Sequence, residues 1–301
     1  MRVGDCADLA RGLPPGGVDL IVTGPPSPRS YDGAHDDPTG DGYVDWLVGK
    51  LAPLMPALAP TGSVVVDLGN TDRPGRSVHA PVSFKAVIAL CERLGLELSQ
   101  EFYTYEPTRG PFPTGRDVAS ARGVRDAIGL VPWLSTGRPR VDPTRVAKDR
   151  SASEGRLRAA LEGGFPSNLL AFPAPSTDVG HLTRMRGLGG EPHPTRFADA
   201  LPRFFIRLLT EPNDLVLDPF AGSNATGAVA QAEGRRWVSF EKDPDRAADS
   251  AMRFLSLETP RGEAARIRST VASGGFERLT EGLFDVCDKE NFTPLEQPTL
   301  L

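Results

Sequence analysis

Leu215-Val216-Leu217-Asp218-Pro219-Phe220-Ala221-Gly222-Ser223-Asn224-Ala225-Thr226-Gly227 is the stretch whose reading decides the fold. A short apolar run ends in an acid, bends through Gly and Ser, and enters a helix-like segment, Gly227 to Glu233. This pattern predicts a strand feeding a tight loop at the carboxyl edge of a parallel sheet. Gly222 lets the backbone approach a ligand closely, and the following helix offers unpaired amides at its start. Further on, Trp237-Val238-Ser239-Phe240-Glu241 predicts a second short strand ending in an acid. An acid there can accept hydrogen bonds from ribose hydroxyls. The turn lacks Gly-x-Gly-x-x-Gly, which disfavours a dinucleotide.

A second informative turn lies upstream. Val18-Asp19-Leu20-Ile21-Val22-Thr23 is a β-prone run that enters Gly24-Pro25-Pro26-Ser27-Pro28. Two prolines fix the backbone and remove two donors. Such a turn presents carbonyls with no amide competing for them.

Together the two turns resemble the DNA amino-methyltransferases. Asp-Pro-Phe-Ala-Gly-Ser with a trailing Thr-Gly resembles their S-adenosylmethionine loop, and Thr210 to Phe254 resembles the cofactor half of the N4-cytosine branch. The family's usual loop is Phe-x-Gly-x-Gly; Asn224 replaces the second Gly here, a variant that some N4-cytosine members share. The resemblance implies S-adenosyl-L-methionine held by Asp218, Phe220, Gly222, Ser223, Asn224 and Glu241. It places Asp5, in Gly4-Asp5-Cys6, near the cofactor adenine; a helix N-cap is the other reading of that residue. It sets His193, Phe197 and the helix-like Leu201 to Ile206 under the methionine part.

The upstream turn resembles the family's catalytic loop, Ser-Pro-Pro-Tyr or Ser-Pro-Pro-Phe. In that loop the Ser and the first Pro carbonyl accept hydrogen bonds from the amine of a flipped base, and the aromatic ring stacks on the base. Pro25 and Pro26 match, whereas Gly24 stands for the Ser and Ser27 for the aromatic residue. The carbonyls of Gly24 and Pro25 and the side chain of Thr23 remain as candidate acceptors, and Tyr31 or Trp46 as a stacking face. Catalytic turn first and cofactor turn last resembles the permuted β-class. The implied fold is α/β, a Rossmann-like methyltransferase with a mostly parallel sheet and an inserted, loop-rich target-recognition region.

The implied activity is site-specific methylation of cytosine N4 in duplex DNA by base flipping. Adenine N6 needs the same device and is the alternative. The loop departures motivate another, a catalytically weakened DNA-binding paralogue. RNA or a small molecule as acceptor is a third. No Pro-Cys nucleophile motif accompanies these turns, which argues against cytosine C5. The implied partners are double-stranded DNA and a cognate restriction endonuclease.

The 301 residues suit one large α/β domain with an attached lobe. Tyr43 to Leu58 predicts an amphipathic helix, Gly62 to Asn70 a buried strand with a turn, Ser83 to Leu94 a helix ended by Gly95, and Leu96 to Tyr105 a strand. From Glu106 the periodicity breaks. We divide the chain into a catalytic half (1–105), a recognition region (106–192), a cofactor half (193–257) and a tail (258–301). Val131 to Ser135 reads as a strand, Ser153 to Leu161 as a short basic helix, and Phe276 to Val286 as one helix.

Net charge is −5, but residues 105–200 carry 14 Lys and Arg against 10 Asp and Glu. Local positive potential governs phosphate binding more than the total does. Arg138, Arg140, Arg145, Lys148 and Arg150 are the candidate phosphate contacts. Three cysteines far apart and four histidines without ligand spacing suit a reducing cytoplasm and predict no metal site. No apolar run approaches the roughly eighteen residues of a membrane span.

Overall fold

The computed structural model describes residues 1–26, 42–68, 81–105, 127–147, 166–171, 179–187, 199–255, 258–273, 277–279 and 282–284. Eight strands form one sheet: β1 (Arg2–Val3), β2 (Val18–Thr23), β3 (Leu58–Val66), β4 (Glu97–Tyr105), β5 (Ile128–Ser135), β6 (Leu169–Ala171), β7 (Leu215–Asp218) and β8 (Arg236–Glu241). Their order is β1-β8-β7-β2-β3-β5-β4-β6. Only β5 runs against the others, since it pairs antiparallel with both β3 and β4 while every other pairing in the sheet is parallel.

The apolar runs become central strands because both faces of the sheet are covered. Ile21, Val64, Val66, Leu215 and Leu217 pack on one side, with Leu47 and Leu51 of helix Gly42–Leu51 and Ala86 and Leu90 of helix Val82–Leu94. Leu20, Val22, Val65 and Val216 pack on the other, with Phe205 and Ile206 of helix Ala200–Leu209 and Val229 and Ala230 of helix Ala225–Ala232. Alternation along each strand assigns the residues to the two layers.

The chain departs in opposite directions from β2 and β7. After β2 it passes through helix Gly42–Leu51 to β3; after β7 it passes through helix Ala225–Ala232 to β8 on the other side. The carboxyl ends of this neighbouring pair therefore form the switch point where open α/β sheets bind ligands.

Several sequence expectations change. The helix expected over Tyr43–Leu58 stops at Leu51. A 3-10 turn, Ala52–Ala57, follows because Pro53 and Pro56 cannot donate to an α-helical ladder, and Leu58 opens β3. The helix expected over Phe276–Val286 is replaced by an antiparallel pair, Glu277–Leu279 with Gly282–Phe284; Gly282 disfavours helix there. The stretch 106–192 is not wholly an insertion, since β5 lies between β3 and β4 and β6 extends the sheet beyond β4. Helix Val82–Leu94 ends as expected at Gly95, whose φ of 69° only glycine adopts at little cost. Ser153 to Leu161 lies outside the described residues.

Candidate active site

The two informative turns meet although they are far apart in sequence. β2 pairs with β7 through Leu20↔Val216 and Ile21↔Leu217. At their carboxyl ends the buried Thr23 hydroxyl donates to Asp218 Oδ1 at 2.6 Å, across 195 residues of chain. The Phe220 N–H donates to the same oxygen at 3.1 Å. Thr23 thus ties the two turns together; donating to Asp218 leaves its lone pairs able to accept, while the side chain is fully buried. Gly24, half-buried, and Pro25, buried, follow directly.

Burial pushes the Asp218 carboxyl up to about 6, against the pull of the Thr23 and Phe220 donors. A raised carboxyl pKa means that the folded chain holds this proton more tightly than the unfolded chain. Acidification from about pH 6 to about pH 4 therefore stabilises the fold through Asp218, and the ionised group weighs against it at neutral pH. Thr23→Val keeps the shape and removes a donor to the charged form. We expect a loss of about 1.5–3 kcal/mol at pH 8 that narrows at pH 5, read from urea denaturation at both. An equal loss at the two values would show that Thr23 does not act through the Asp218 charge.

Asn224 explains the missing second glycine. Its backbone is left-handed, φ 54° and ψ 42°, a region that Asn tolerates better than most residues. Its buried Oδ1 accepts from the Gly227 N–H at 3.2 Å, capping helix Ala225–Ala232, and from Ser239 Oγ at 2.8 Å. Asn therefore supplies both the conformation and the cap. Gly222, φ 50°, precedes it.

Glu241 organises the loop from the next strand. Its Oε2 accepts from the Gly222 N–H at 2.8 Å, and its Oε1 from the Asp243 N–H at 2.9 Å. Burial raises its pKa despite these donors. A carboxylate offers about four acceptor positions, so two bonds leave capacity for a ligand hydroxyl.

Asp5 lies beside this edge, because β1 pairs with β8 and the Gly4 N–H donates to the Glu241 carbonyl at 2.8 Å. Its Oδ1 caps helix Cys6–Leu9 through the Ala7 N–H at 2.9 Å, and its Oδ2 meets Lys50 Nζ. Burial works to raise its pKa, but the Lys50 ammonium and the Ala7 N–H outweigh it and hold the carboxyl below the usual range. The N-cap reading of Asp5 is thus realised. Lys50 was missed, since nothing local in sequence marks it as the partner of Asp5.

The Phe220 ring lies tilted at 34° against Trp46, centroids 5.5 Å apart, and Trp46 in turn lies 5.5 Å from Tyr43. Trp46 therefore packs against the 218–224 loop.

Three of the expected phosphate contacts, Arg138, Arg140 and Arg145, lie away from the junction of the two turns. Arg140 pairs with Asp214 at 2.7 Å. Arg145 pairs with Glu211 and Asp142 and donates to the Thr210 carbonyl at 2.8 Å. Asp214, Glu211 and Thr210 lie just before β7, and exposed Arg138 follows the carboxyl end of the reversed strand β5. All three arginines therefore sit at the amino edge of the parallel strands, opposite Thr23 and Asp218. Ser27, Tyr31, Lys148, Arg150, His193 and Phe197 lie outside the described residues.

Comparison with known proteins agrees with this fold. The DNA methylase family model (N6/N4 methyltransferases) matches residues 18–252. The type II methyltransferase M.PvuII of Proteus hauseri is 31% identical, with 91% of this chain and 89% of that protein covered. The solved structure titled PvuII DNA methyltransferase (cytosine-N4-specific) superposes with a TM-score of 0.76, at 31% identity, over 90% of this chain and 91% of that one. The DNA adenine methyltransferase YhdJ of Escherichia coli K12 is 26% identical, over 79% of this chain and 76% of that protein. The chain belongs to the DNA methylase family.

Proposed function

We propose that this chain transfers the methyl group of S-adenosyl-L-methionine to the exocyclic N4 amine of a cytosine flipped out of duplex DNA at a specific sequence. The observation that carries the reading is the junction of the Gly24-Pro25-Pro26 turn with the Asp218–Asn224 loop at one switch point, bridged by Thr23 and Asp218. The likeness to a relative titled cytosine-N4-specific supports cytosine over adenine.

The residues present fit the cofactor. Glu241 retains acceptor capacity for ribose hydroxyls, and Gly222 lets the backbone approach. Phe220 and Trp46 supply an apolar wall. Bound there, the cofactor supplies an electrophilic methyl on sulfur. The carbonyls of Gly24 and Pro25 accept the hydrogens of the target amine. That bias draws its lone pair out of the ring and towards the methyl carbon.

In this reading DNA approaches the carboxyl edge, and 106–192 remains the proposed recognition region. Exposed Tyr105 and Ile128, paired across β4 and β5, mark where residues 106–127 join that edge. Among the described residues, no helix is long and apolar enough to cross a membrane. A bacterial or archaeal cytoplasm with nucleoid DNA as substrate, and a cognate restriction endonuclease as partner, follow from the same reading.

Two experiments test it. Duplex DNA incubated with the protein and cofactor, then digested, should yield N4-methylcytosine by mass spectrometry; N6-methyladenine would move the acceptor, and neither product would refute the activity. Glu241→Ala should weaken S-adenosylmethionine binding by about 1–3 kcal/mol, the range for a charge-assisted bond. Unchanged affinity by titration calorimetry would remove Glu241 from the site.

A further inference from the structure

The cofactor loop has another anchor, on neither of the strands that meet at the switch point. Arg253 lies in the 3-10 turn Met252–Phe254, which follows helix Pro244–Ala251. Its Nε donates to the Ser223 carbonyl at 2.9 Å, and Nη2 donates to Ser223 Oγ at 3.3 Å. Its Nη1 faces Asp199 Oδ1 at 3.5 Å. Asp199 occupies the N-cap position of helix Ala200–Leu209. The Arg253 side chain is only 7% exposed, and the residue lies just past the stretch matched by the family model.

A cation buried this deeply is costly unless its donors are satisfied. The planar fork of Arg reaches acceptors in different directions at once, which a Lys ammonium on its flexible stem does not reproduce. The base of the side chain is held as well: the neighbouring Phe254 stacks on Trp237 at 5.1 Å and 20°. Ser223 itself sits between Gly222, tied to Glu241, and Asn224, tied to Ser239. Glu241 and Ser239 both belong to β8. Arg253 adds a connection to Asp199 at the start of helix Ala200–Leu209.

We propose that Arg253 is a positioning residue for the cofactor, holding Ser223 at a fixed separation from Asp199. This rests on the reading of the loop as an S-adenosylmethionine site. Without the clamp the loop keeps its strand-side ties but loses its register against the helix. Cofactor binding then carries the ordering cost that Arg253 otherwise removes in advance.

The test compares Arg253→Met, Arg253→Lys and Asp199→Asn with the parent chain. Measured are the Kd of S-adenosylmethionine and of its demethylated product, KM against kcat on duplex DNA, and the thermal midpoint without ligand. Arg253→Met should raise the cofactor Kd and KM by about ten- to a hundredfold, the loss expected for hydrogen bonds to a charged donor, with little change in kcat. Arg253→Lys should recover part of this, and Asp199→Asn should show a smaller rise. A lowered midpoint with unchanged cofactor Kd would make Arg253 merely structural and overturn the proposal. Should Arg253→Met not fold, parent-like binding by both other variants would overturn it equally. A parent chain that binds neither compound would defeat the reading of the site itself, and the proposal with it.

Discussion

Gly24→Ser combined with Ser27→Tyr is expected to raise the methyl-transfer rate by about 10²–10³, the usual worth of one preorganised acceptor at a reacting centre. The stacking face adds roughly 1–3 kcal/mol towards holding the flipped base. Gly24 follows the carboxyl end of β2 directly, where the Ser-Pro-Pro pattern that the sequence resembles would place a Ser hydroxyl. Thr23 is the adjacent hydroxyl, but it is committed to Asp218 at 2.6 Å within the core. Thr23 is fully buried whereas Gly24 is half-buried, so a Ser at position 24 supplies the more accessible acceptor. The rate is read as tritiated methyl incorporated into duplex DNA at saturating cofactor. Gly24→Ala with Ser27→Tyr serves as control, since it adds bulk and stacking but no acceptor. Cofactor affinity should barely move, because neither position belongs to the 218–224 loop or to Glu241. A fast parent enzyme with no gain on restoration would sink the idea and show that the backbone carbonyls suffice.

Gly227→Ala is expected to cost about 2–5 kcal/mol of stability, combining an overpacked contact with a damaged helix cap. A Cβ at Gly227 would lie 2.4 Å from Asn224 Oδ1 and 2.8 Å from Trp237 Cε3. The first of these atoms accepts from both Gly227 N–H and Ser239 Oγ, so relieving the clash by moving Asn224 breaks the bonds that shape the loop. Trp237 is a ring in β8 stacked on Phe254, and it gives way poorly. Cofactor affinity should fall together with stability. Denaturant midpoints of Gly227→Ala, Asn224→Ala and the double variant measure the shared part, which should be strongly non-additive. A midpoint for Gly227→Ala within about 0.5 kcal/mol of the parent, the range of an ordinary surface change, would show that helix Ala225–Ala232 shifts freely on β8.

Much of this protein was legible in the residue order because the signals are local. The β2 and β7 runs read as buried strands from their apolar content, and the turns after them from Gly, Pro and an acid within a few residues. Asn224 stood out because it occupies a glycine position, and the structure gives the reason: one residue provides the left-handed backbone and the helix cap. The helix expected from Tyr43 overran because hydrophobic spacing continued through Pro53 and Pro56, where the missing N–H groups stop the ladder. The helix expected after Phe276 failed where a three-residue pairing competed with weak periodicity.

Sheet order, strand direction and the edge on which a charge falls were decided only by tertiary structure. Composition placed a basic excess in 105–200, yet Arg140 and Arg145 face Asp214 and Glu211 at the amino edge, far from the switch point. Nothing in their local sequence marks those partners, which lie 74 and 66 residues away. The reversed strand β5 was likewise hidden, because alternation reports which residues are buried and not which way a strand runs. The bond from Thr23 to Asp218 spans 195 residues. It exists because β2 and β7 are neighbours from which the chain leaves in opposite directions, and only the folded sheet brings their carboxyl ends within one hydrogen bond.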